Sequence, residues 1–130
     1  MIGNKKILDT NVIINLFRGK MEEKLFFEQN NFFLIPSIVV GELIFGAENS
    51  AQPVKHRKQF NDFIKNKEVL NVDQNTAQIY GKVKSELRKN GTPIPENDIW
   101  IAALAIQHDL TLATNDNHFK KITSLKIKEI

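Results

Sequence analysis

The sequence predicts an α/β fold in which a central, mainly parallel sheet lies between layers of helices. Short apolar runs of strand length alternate along the chain with longer segments that have the three- and four-residue spacing of amphipathic helices. The strand candidates are compact apolar runs, which is typical of parallel strands covered on both faces. The 130 residues fit one domain, which we expect to span residues 1–130.

The first half of the chain predicts two strands and four helices. Gly19 is expected to end the first helix. Ser37 is a candidate N-cap for the third helix, and Gly46 is a candidate stop at its end. In chain order, the predicted elements are a strand over 5–8, helices over 11–17 and 21–29, a strand over 32–35, and helices over 37–46 and 53–66.

The second half predicts three strands and two helices. Asp73 is a candidate N-cap, and Gly91 is expected to end the helix that follows. Beyond the rigid segment that contains Pro93 and Pro95, Asn97 is expected to cap the next helix. The predicted elements are a strand over 69–72, helices over 73–91 and 97–107, a strand over 111–114 and an edge strand over 125–130.

Composition limits the kinds of chemistry available to the chain. There is no cysteine, which excludes disulfides and thiolate metal sites. The net charge of +3 permits a polyanionic partner without requiring one. The longest apolar runs are far below the roughly 20 residues that span a bilayer, and the first residues do not resemble a signal peptide. We therefore expect a cytoplasmic protein with no membrane partner.

Two acidic residues stand at the ends of apolar strand candidates. Asp9 follows Ile7 and Leu8, and Asp116 follows the strand over 111–114. In an open parallel sheet, ligand sites form beyond the carboxyl ends of the strands, so both residues point to one location. The ordinary alternatives are that Asp9 caps the helix after it and that Asp116 belongs to a turn.

Asp98 and Glu42 are unusual for their surroundings. Asp98 lies in the first turn of a predicted helix, where the helix dipole favours an ionised carboxylate. Glu42 lies inside an apolar helix, where an unpaired buried charge is costly. Simpler interpretations stay open here too: Asp98 only complements the dipole, and Glu42 occupies the single polar face of its helix.

Taken together, the four acids indicate a metal site. Four carboxylates at one end of a sheet repel each other, and a bound cation would neutralise them. His56, His108 and His118 show no recognisable metal-ligand spacing, so the expected ligands are oxygen atoms. Oxygen ligands favour Mg²⁺ or Mn²⁺, and such ions assist the hydrolysis of phosphodiesters.

The four acids lie in motifs that resemble those of a known family. The chain resembles PIN-domain proteins, and specifically the VapC-type toxins of toxin–antitoxin pairs. Any one motif is weak, but the ordered set is specific and covers nearly the whole chain. The motifs are LDTNVII at 8–14, GEL at 41–43 with Gly46, the segment 80–95, NDIWIAA at 97–103 and TND at 114–116.

This resemblance implies a PIN-like three-layer sandwich and a hydrolase, namely an Mg²⁺- or Mn²⁺-dependent endoribonuclease. It implies that Asp9 and Asp98 are the principal metal ligands and that Glu42 and Asp116 complete the site. The polar residues implied to support these acids are Asn11, Thr114 and Asn115. The residues after Asp116 differ from the Arg-Glu-Phe-like continuation that is common in such proteins.

The resemblance also implies partners. VapC-type toxins act on RNA, pair with a VapB-like antitoxin whose tail blocks the site, and commonly form homodimers. Operator DNA is bound only by the toxin–antitoxin complex. Phe26, Phe27 and Phe45 are candidate surface residues for a protein contact, with packing in the core as the alternative.

Two other functions stay open at this point. A catalytically silent RNA-binding or scaffold module with the same fold would bind RNA without cutting it, although all four acids are present. A phosphotransfer receiver or an aspartyl-phosphate phosphatase would also carry aspartates at strand ends. The sequence Asp9-Thr10-Asn11 lacks the second aspartate that a phosphatase motif requires.

Overall fold

The computed structural model describes residues 5–30 and 32–130. Within these residues, five strands form one sheet in the order β3-β2-β1-β4-β5, and every neighbouring pair is parallel. The predicted α/β class with a mainly parallel sheet between helices is therefore confirmed.

Every predicted strand and helix is present, with bounds that differ by a few residues at most. The strands are β1 Lys6–Leu8, β2 Phe33–Pro36, β3 Glu68–Leu70, β4 Thr111–Thr114 and β5 Ile127–Glu129. The helices are α1 Thr10–Phe17, α2 Met21–Gln29, α3 Ser37–Glu48, α4 Pro53–Ile64, α5 Gln74–Lys89 and α6 Glu96–Gln107. No helix among the described residues is long and apolar enough to cross a membrane.

The central position of β1 determines where the site forms. Ile7 pairs with Leu34 of β2 on one side and with Leu112 of β4 on the other, and all three side chains are buried in the core. One residue further on, the Asp9 N–H donates to the Ala113 carbonyl at 3.1 Å. Because the strands are parallel and in this register, the residues after β1 and the last residue of β4 meet at the same edge.

Two predicted helix boundaries are wrong. Helix α3 includes Ser37 as its first residue instead of using it as a cap, and it continues past Gly46 to Glu48. Ala47 is buried against the core, and the Asn49 side chain donates to the Phe45 carbonyl at 2.9 Å, so packing and a C-terminal hydrogen bond extend the helix.

Asn97 is likewise not the cap of α6. Pro95 occupies the position before the helix, with an extended backbone, and its carbonyl accepts the N–H of Asp98 at 3.1 Å. Proline fixes φ near the value that this entry into a helix needs, so the helix begins at Glu96 and Asn97 lies in its first turn. Asp98 keeps its predicted place in that turn.

Other predicted boundaries are confirmed. Asp73 forms a capping box with Thr76, in which each side chain accepts the backbone N–H of the other residue at 3.0 Å. Gly19 and Gly91 follow α1 and α5 with φ values of +76° and +67°, a backbone conformation that residues with a Cβ atom rarely adopt.

The aromatic residues divide between core and surface. Phe26 is buried, and Phe27 packs partly buried against the core, so the prediction that these two face a partner is wrong. Phe45 on α3 is 71% exposed, as that prediction requires. The rings of Tyr80 and Trp100 stack with centroids 3.8 Å apart, which ties α5 to the first half of α6.

A short 3₁₀ helix over Asn117–Lys121 was not predicted. Asp116 caps it by accepting the N–H of His118 at 2.9 Å. Phe119 is fully buried and anchors the segment in the core. The residues that follow Asp116 are therefore held at the sheet edge instead of forming a free turn.

Candidate functional site

The four predicted acids line one cleft at the carboxyl ends of β1 and β4. Its volume is about 430 Å³, and its walls include Asp9, Glu42, Asp98 and Asp116 together with the predicted Asn11. The four acids come from four different parts of the chain: the end of β1, the middle of α3, the first turn of α6 and the cap of the 3₁₀ helix. The topology brings them together.

Asp9 lies at the bottom of this cleft and is 4% exposed. One carboxylate oxygen, Oδ1, accepts the Thr10 N–H at 2.8 Å, so Asp9 does cap α1. The other, Oδ2, accepts the Thr114 hydroxyl at 2.8 Å. The capping role and a place in the site are thus compatible.

Burial governs the acidity of Asp9. Desolvation raises the pKa of this carboxyl to about 6, although the hydrogen bonds from Thr114 and Thr10 favour the ionised form. The negative charges of Asp98 and Asp116 raise the pKa further. Asp9 is therefore held in a place where an ionised carboxylate is costly unless a cation is near.

Thr114 connects two of the acids. Besides donating to Asp9, its hydroxyl oxygen accepts the Asp116 N–H at 3.0 Å. The side chain is buried at the end of β4, where the hydrogen bond to Asp9 is buried and the one from Asp116 is partly buried. This geometry is what an orienting role for Thr114 requires.

Glu42 is half-buried and is not an unpaired charge. Its Oε1 accepts the Thr10 hydroxyl at 2.7 Å. Thr10 is the first residue of α1, and it donates its backbone N–H to Asp9 and its hydroxyl to Glu42. Sequence reasoning did not single out Thr10, because a threonine after a helix cap has no distinctive pattern.

Asn115 takes a different position from the other predicted polar residues. Its amide Nδ2 donates to Oε2 of Glu23 at 3.2 Å, and the Asn15 amide donates to the same oxygen at 3.0 Å. Glu23 is 2% exposed, which makes it a buried carboxylate that the sequence analysis did not identify. Asn115 thereby attaches the loop after β4 to α1 and α2.

Asp98 and Asp116 face each other across the cleft mouth. Burial raises the pKa of Asp98, and the charges of Asp116 and Glu42 act in the same direction. A hydrogen bond with His118 opposes this rise in the pKa of Asp98. Both acids are partly exposed, with 14% of the Asp98 side chain and 26% of the Asp116 side chain accessible.

His118 is a site residue that sequence reasoning set aside. Its Nδ1 lies 3.2 Å from Oδ2 of Asp98 and 3.1 Å from Oδ1 of Asp116. Among the described residues, these three side chains form the group of potential metal ligands whose atoms all lie within 4.8 Å of one another. The sequence did contain one indication of this role, because His118 lies only two residues after the predicted ligand Asp116. The spacing of histidines relative to each other does not reveal it.

The donor set fits a divalent cation. Carboxylate oxygens are the ligands that Mg²⁺ and Mn²⁺ prefer, and an imidazole nitrogen is compatible with Mn²⁺ as well. The raised pKa values of Asp9 and Asp98 have burial and mutual repulsion as causes, and a cation would offset both. Asp9, Glu42, Asp98 and Asp116 are the residues that would hold it.

Comparison with known proteins agrees with this architecture. Residues 6–125 match the model of the PIN domain family. The chain is 36% identical over 125 residues to ribonuclease VapC2 of Haemophilus influenzae, covering 94% of this chain and 95% of that protein. It is 34% identical over 128 residues to the tRNA(fMet)-specific endonuclease VapC of Salmonella typhimurium, covering 96% and 97% of the two chains.

A solved structure is similar over the whole fold. The crystal structure of DNA-bound VapBC from Salmonella typhimurium contains a chain with a TM-score of 0.89 and 32% identity to this one, covering 97% of this chain and 98% of that chain. The family model, the sequence relatives and the structural neighbour confirm the resemblance to VapC-type PIN-domain proteins over nearly the whole chain. The chain therefore belongs to the PIN domain family, in its VapC branch.

Proposed function

We propose that this protein is an Mg²⁺- or Mn²⁺-dependent endoribonuclease and the toxin of a VapBC-type toxin–antitoxin pair. The observation that carries the proposal is the convergence of four carboxylates from separate elements on one cleft. The names of its relatives, ribonuclease VapC2 and tRNA(fMet)-specific endonuclease VapC, support RNA as the substrate class.

Asp9 and Asp98 are proposed as the principal ligands, with Glu42 and Asp116 completing the site. When bound, the cation would act as a Lewis acid that activates water and stabilises the charge developing on the phosphate. The role of the protein is to keep the ligands in place. Thr10 and Thr114 do this for Asp9 through two hydrogen bonds of 2.8 Å, so Asp9 needs little rearrangement to bind a cation.

The cleft is open and polar, which suits a phosphodiester backbone better than a small apolar ligand. Asn11 is exposed at its wall and is proposed to contact the substrate or a neighbouring acid. The net charge of +3 agrees with a polyanionic substrate despite the acidic site. Cleavage is proposed to be a hydrolysis of the RNA backbone with no covalent enzyme intermediate.

The partners of the protein are proposed from its relatives. The solved structure of DNA-bound VapBC from Salmonella typhimurium supports a VapB-like antitoxin as the partner. We also propose that operator DNA is bound only by the toxin–antitoxin complex. A homodimer is proposed as well, and the exposed Phe45 on α3 is a candidate contact residue for it or for the antitoxin. We propose that one PIN domain spans 1–130 and that it acts in the cytoplasm.

The test is RNA cleavage by the purified protein with Mn²⁺, comparing wild type with Asp9→Asn and Asp98→Asn. Both variants are expected to lose at least a hundredfold in rate. Asp62→Asn is the matched control, because Asp62 is an exposed acid on α4 that pairs only with Lys58 among the described contacts. Equal cleavage by wild type and all three variants would indicate a contaminating nuclease and overturn the proposal. RNA binding without cleavage by wild type would favour the catalytically silent RNA-binding module.

A further inference from the structure

We propose that His118 provides an imidazole nitrogen ligand to the cation held by Asp98 and Asp116, and that this ligand biases the site toward Mn²⁺ over Mg²⁺. The inference rests on the proposed function, since it assumes that a divalent cation occupies the cleft. It adds a ligand and a metal preference that the four carboxylates alone do not have.

The spacing of three atoms is the first argument. Nδ1 of His118 lies 3.2 Å from Oδ2 of Asp98 and 3.1 Å from Oδ1 of Asp116. In octahedral coordination with bonds of about 2.1 Å, neighbouring ligand atoms are about 3 Å apart. The nitrogen is therefore as close to each oxygen as one ligand of such a cation is to the next.

The position of the ring is built into the fold. The His118 N–H donates to Oδ1 of Asp116 at 2.9 Å, so backbone and ring both face the same carboxylate. One residue later, the fully buried Phe119 fixes the 3₁₀ helix in the core. The ring is carried by an anchored turn and not by a free loop, although 46% of the side chain is accessible.

Ligand chemistry then determines the metal preference. Mg²⁺ is coordinated by oxygen and keeps several of its waters, whereas imidazole suits first-row transition metals. A nitrogen beside two carboxylates therefore adds more to the affinity for Mn²⁺ than to that for Mg²⁺. The simpler alternative is that His118 only hydrogen-bonds to the two acids, in which case every protein ligand of the cation is an oxygen.

The direct test is pulsed EPR of the full chain loaded with Mn²⁺. Wild type is expected to show electron spin-echo modulation from a directly bound ¹⁴N nucleus, and His118→Gln is expected to lose it. His56→Gln is the matched control and should keep the signal, because His56 lies on α4. Labelling wild type with ¹⁵N-histidine should convert the modulation to that of ¹⁵N, which tests the proposal without any substitution.

Calorimetric titrations with each metal give the second measurement. His118→Gln is expected to weaken Mn²⁺ binding about tenfold or more, with a much smaller effect on Mg²⁺, so the ratio of the two dissociation constants changes about tenfold. Mn²⁺ bound to wild type without nitrogen modulation, or with modulation that survives in His118→Gln, would overturn this proposal and leave the proposed function standing. No binding of either metal by wild type would overturn both.

Discussion

The hydroxyl of Thr114 donates a hydrogen bond of 2.8 Å to Oδ2 of Asp9, although the two residues are 105 positions apart in sequence. The contact exists because β1 and β4 are parallel neighbours whose carboxyl ends coincide. The same hydroxyl accepts the Asp116 N–H, so one small side chain sets the positions of two acids.

Thr114→Val should weaken binding of the cation at neutral pH by about tenfold or more. A hydrogen bond to a charged group contributes about 1.5–3 kcal/mol, and its loss favours the neutral form of Asp9, which does not bind a cation. Valine keeps the shape of threonine, so the change in volume is small. Calorimetric titration with Mn²⁺ measures the effect, and Thr114→Ser, which keeps the hydroxyl, is the control. Equal affinities for the valine variant and wild type would contradict the prediction.

The stability of the metal-free protein should fall as the pH rises through about 6. Burial raises the pKa of Asp9 to about 6 in the folded protein, whereas an aspartate in the unfolded chain has a pKa near 3.8. The folded state therefore binds the proton more tightly than the unfolded state does. The stabilisation is complete below about pH 4 and is lost as the pH rises through 6, and it amounts to about 3 kcal/mol. The raised pKa of Asp98 acts in the same direction.

Urea unfolding at pH 5 and pH 8 checks this effect, with Asp9→Asn as the comparison because it removes only one titrating group. Wild type should lose more stability than the variant between these two pH values, by about 1 kcal/mol. Saturating Mn²⁺ should restore wild type at pH 8, since the cation binds the ionised acids. An identical pH dependence for both proteins would show that Asp9 does not titrate in this range.

Glu23→Ala should destabilise the fold by about 1–3 kcal/mol, because it removes a buried carboxylate that accepts from two amides. The half-buried Asn15 amide loses its acceptor, whereas the exposed Asn115 amide can turn to water. Chemical denaturation measures the change. Glu22→Ala is the matched control, because Glu22 is the exposed neighbour in α2 and should change stability by less than about 0.5 kcal/mol. Similar losses for the two variants would disprove the role assigned to Glu23.

Asp116→Asn should cause the mildest loss of cleavage among asparagine or glutamine substitutions of the four acids. Asparagine is as good a helix cap as aspartate, so the hydrogen bond to the His118 N–H survives. Its amide oxygen also remains available to a cation. Single-turnover rates at saturating Mn²⁺ rank the four variants, and a greater loss for Asp116→Asn than for Asp98→Asn would refute this order.

The parts of the fold that could be predicted are those that local pattern decides. The bounds of α2 and β4 agree with the prediction, and β4 was recognisable as a short apolar run of strand length. Asp9 and Asp116 could be placed at one sheet edge because both follow apolar strands. Gly46 was mistaken for a helix end because the packing of Ala47 is a tertiary effect that outweighs the low helix propensity of glycine.

The residues that were missed depend on contacts distant in sequence. Glu23 stands in a polar stretch of α2, yet it is buried and accepts a hydrogen bond from Asn115, 92 positions later in the sequence. His118 reaches Asp98 only through the 3₁₀ helix, which carries no strong propensity signal. Charge and polarity by themselves do not tell which of fifteen acids the tertiary structure will bury.

The order of strands in the sheet has a consequence for how the protein is made. Synthesis delivers β1, β2 and β3 early, but β4, which lies beside β1 at the centre, comes near the end of the chain. Until residues 111–119 have left the ribosome, Asp9 lacks Thr114, and Asp98 lacks the two groups that face it. A nascent chain therefore carries no assembled acidic cleft until β4 and the 3₁₀ helix have folded beside β1.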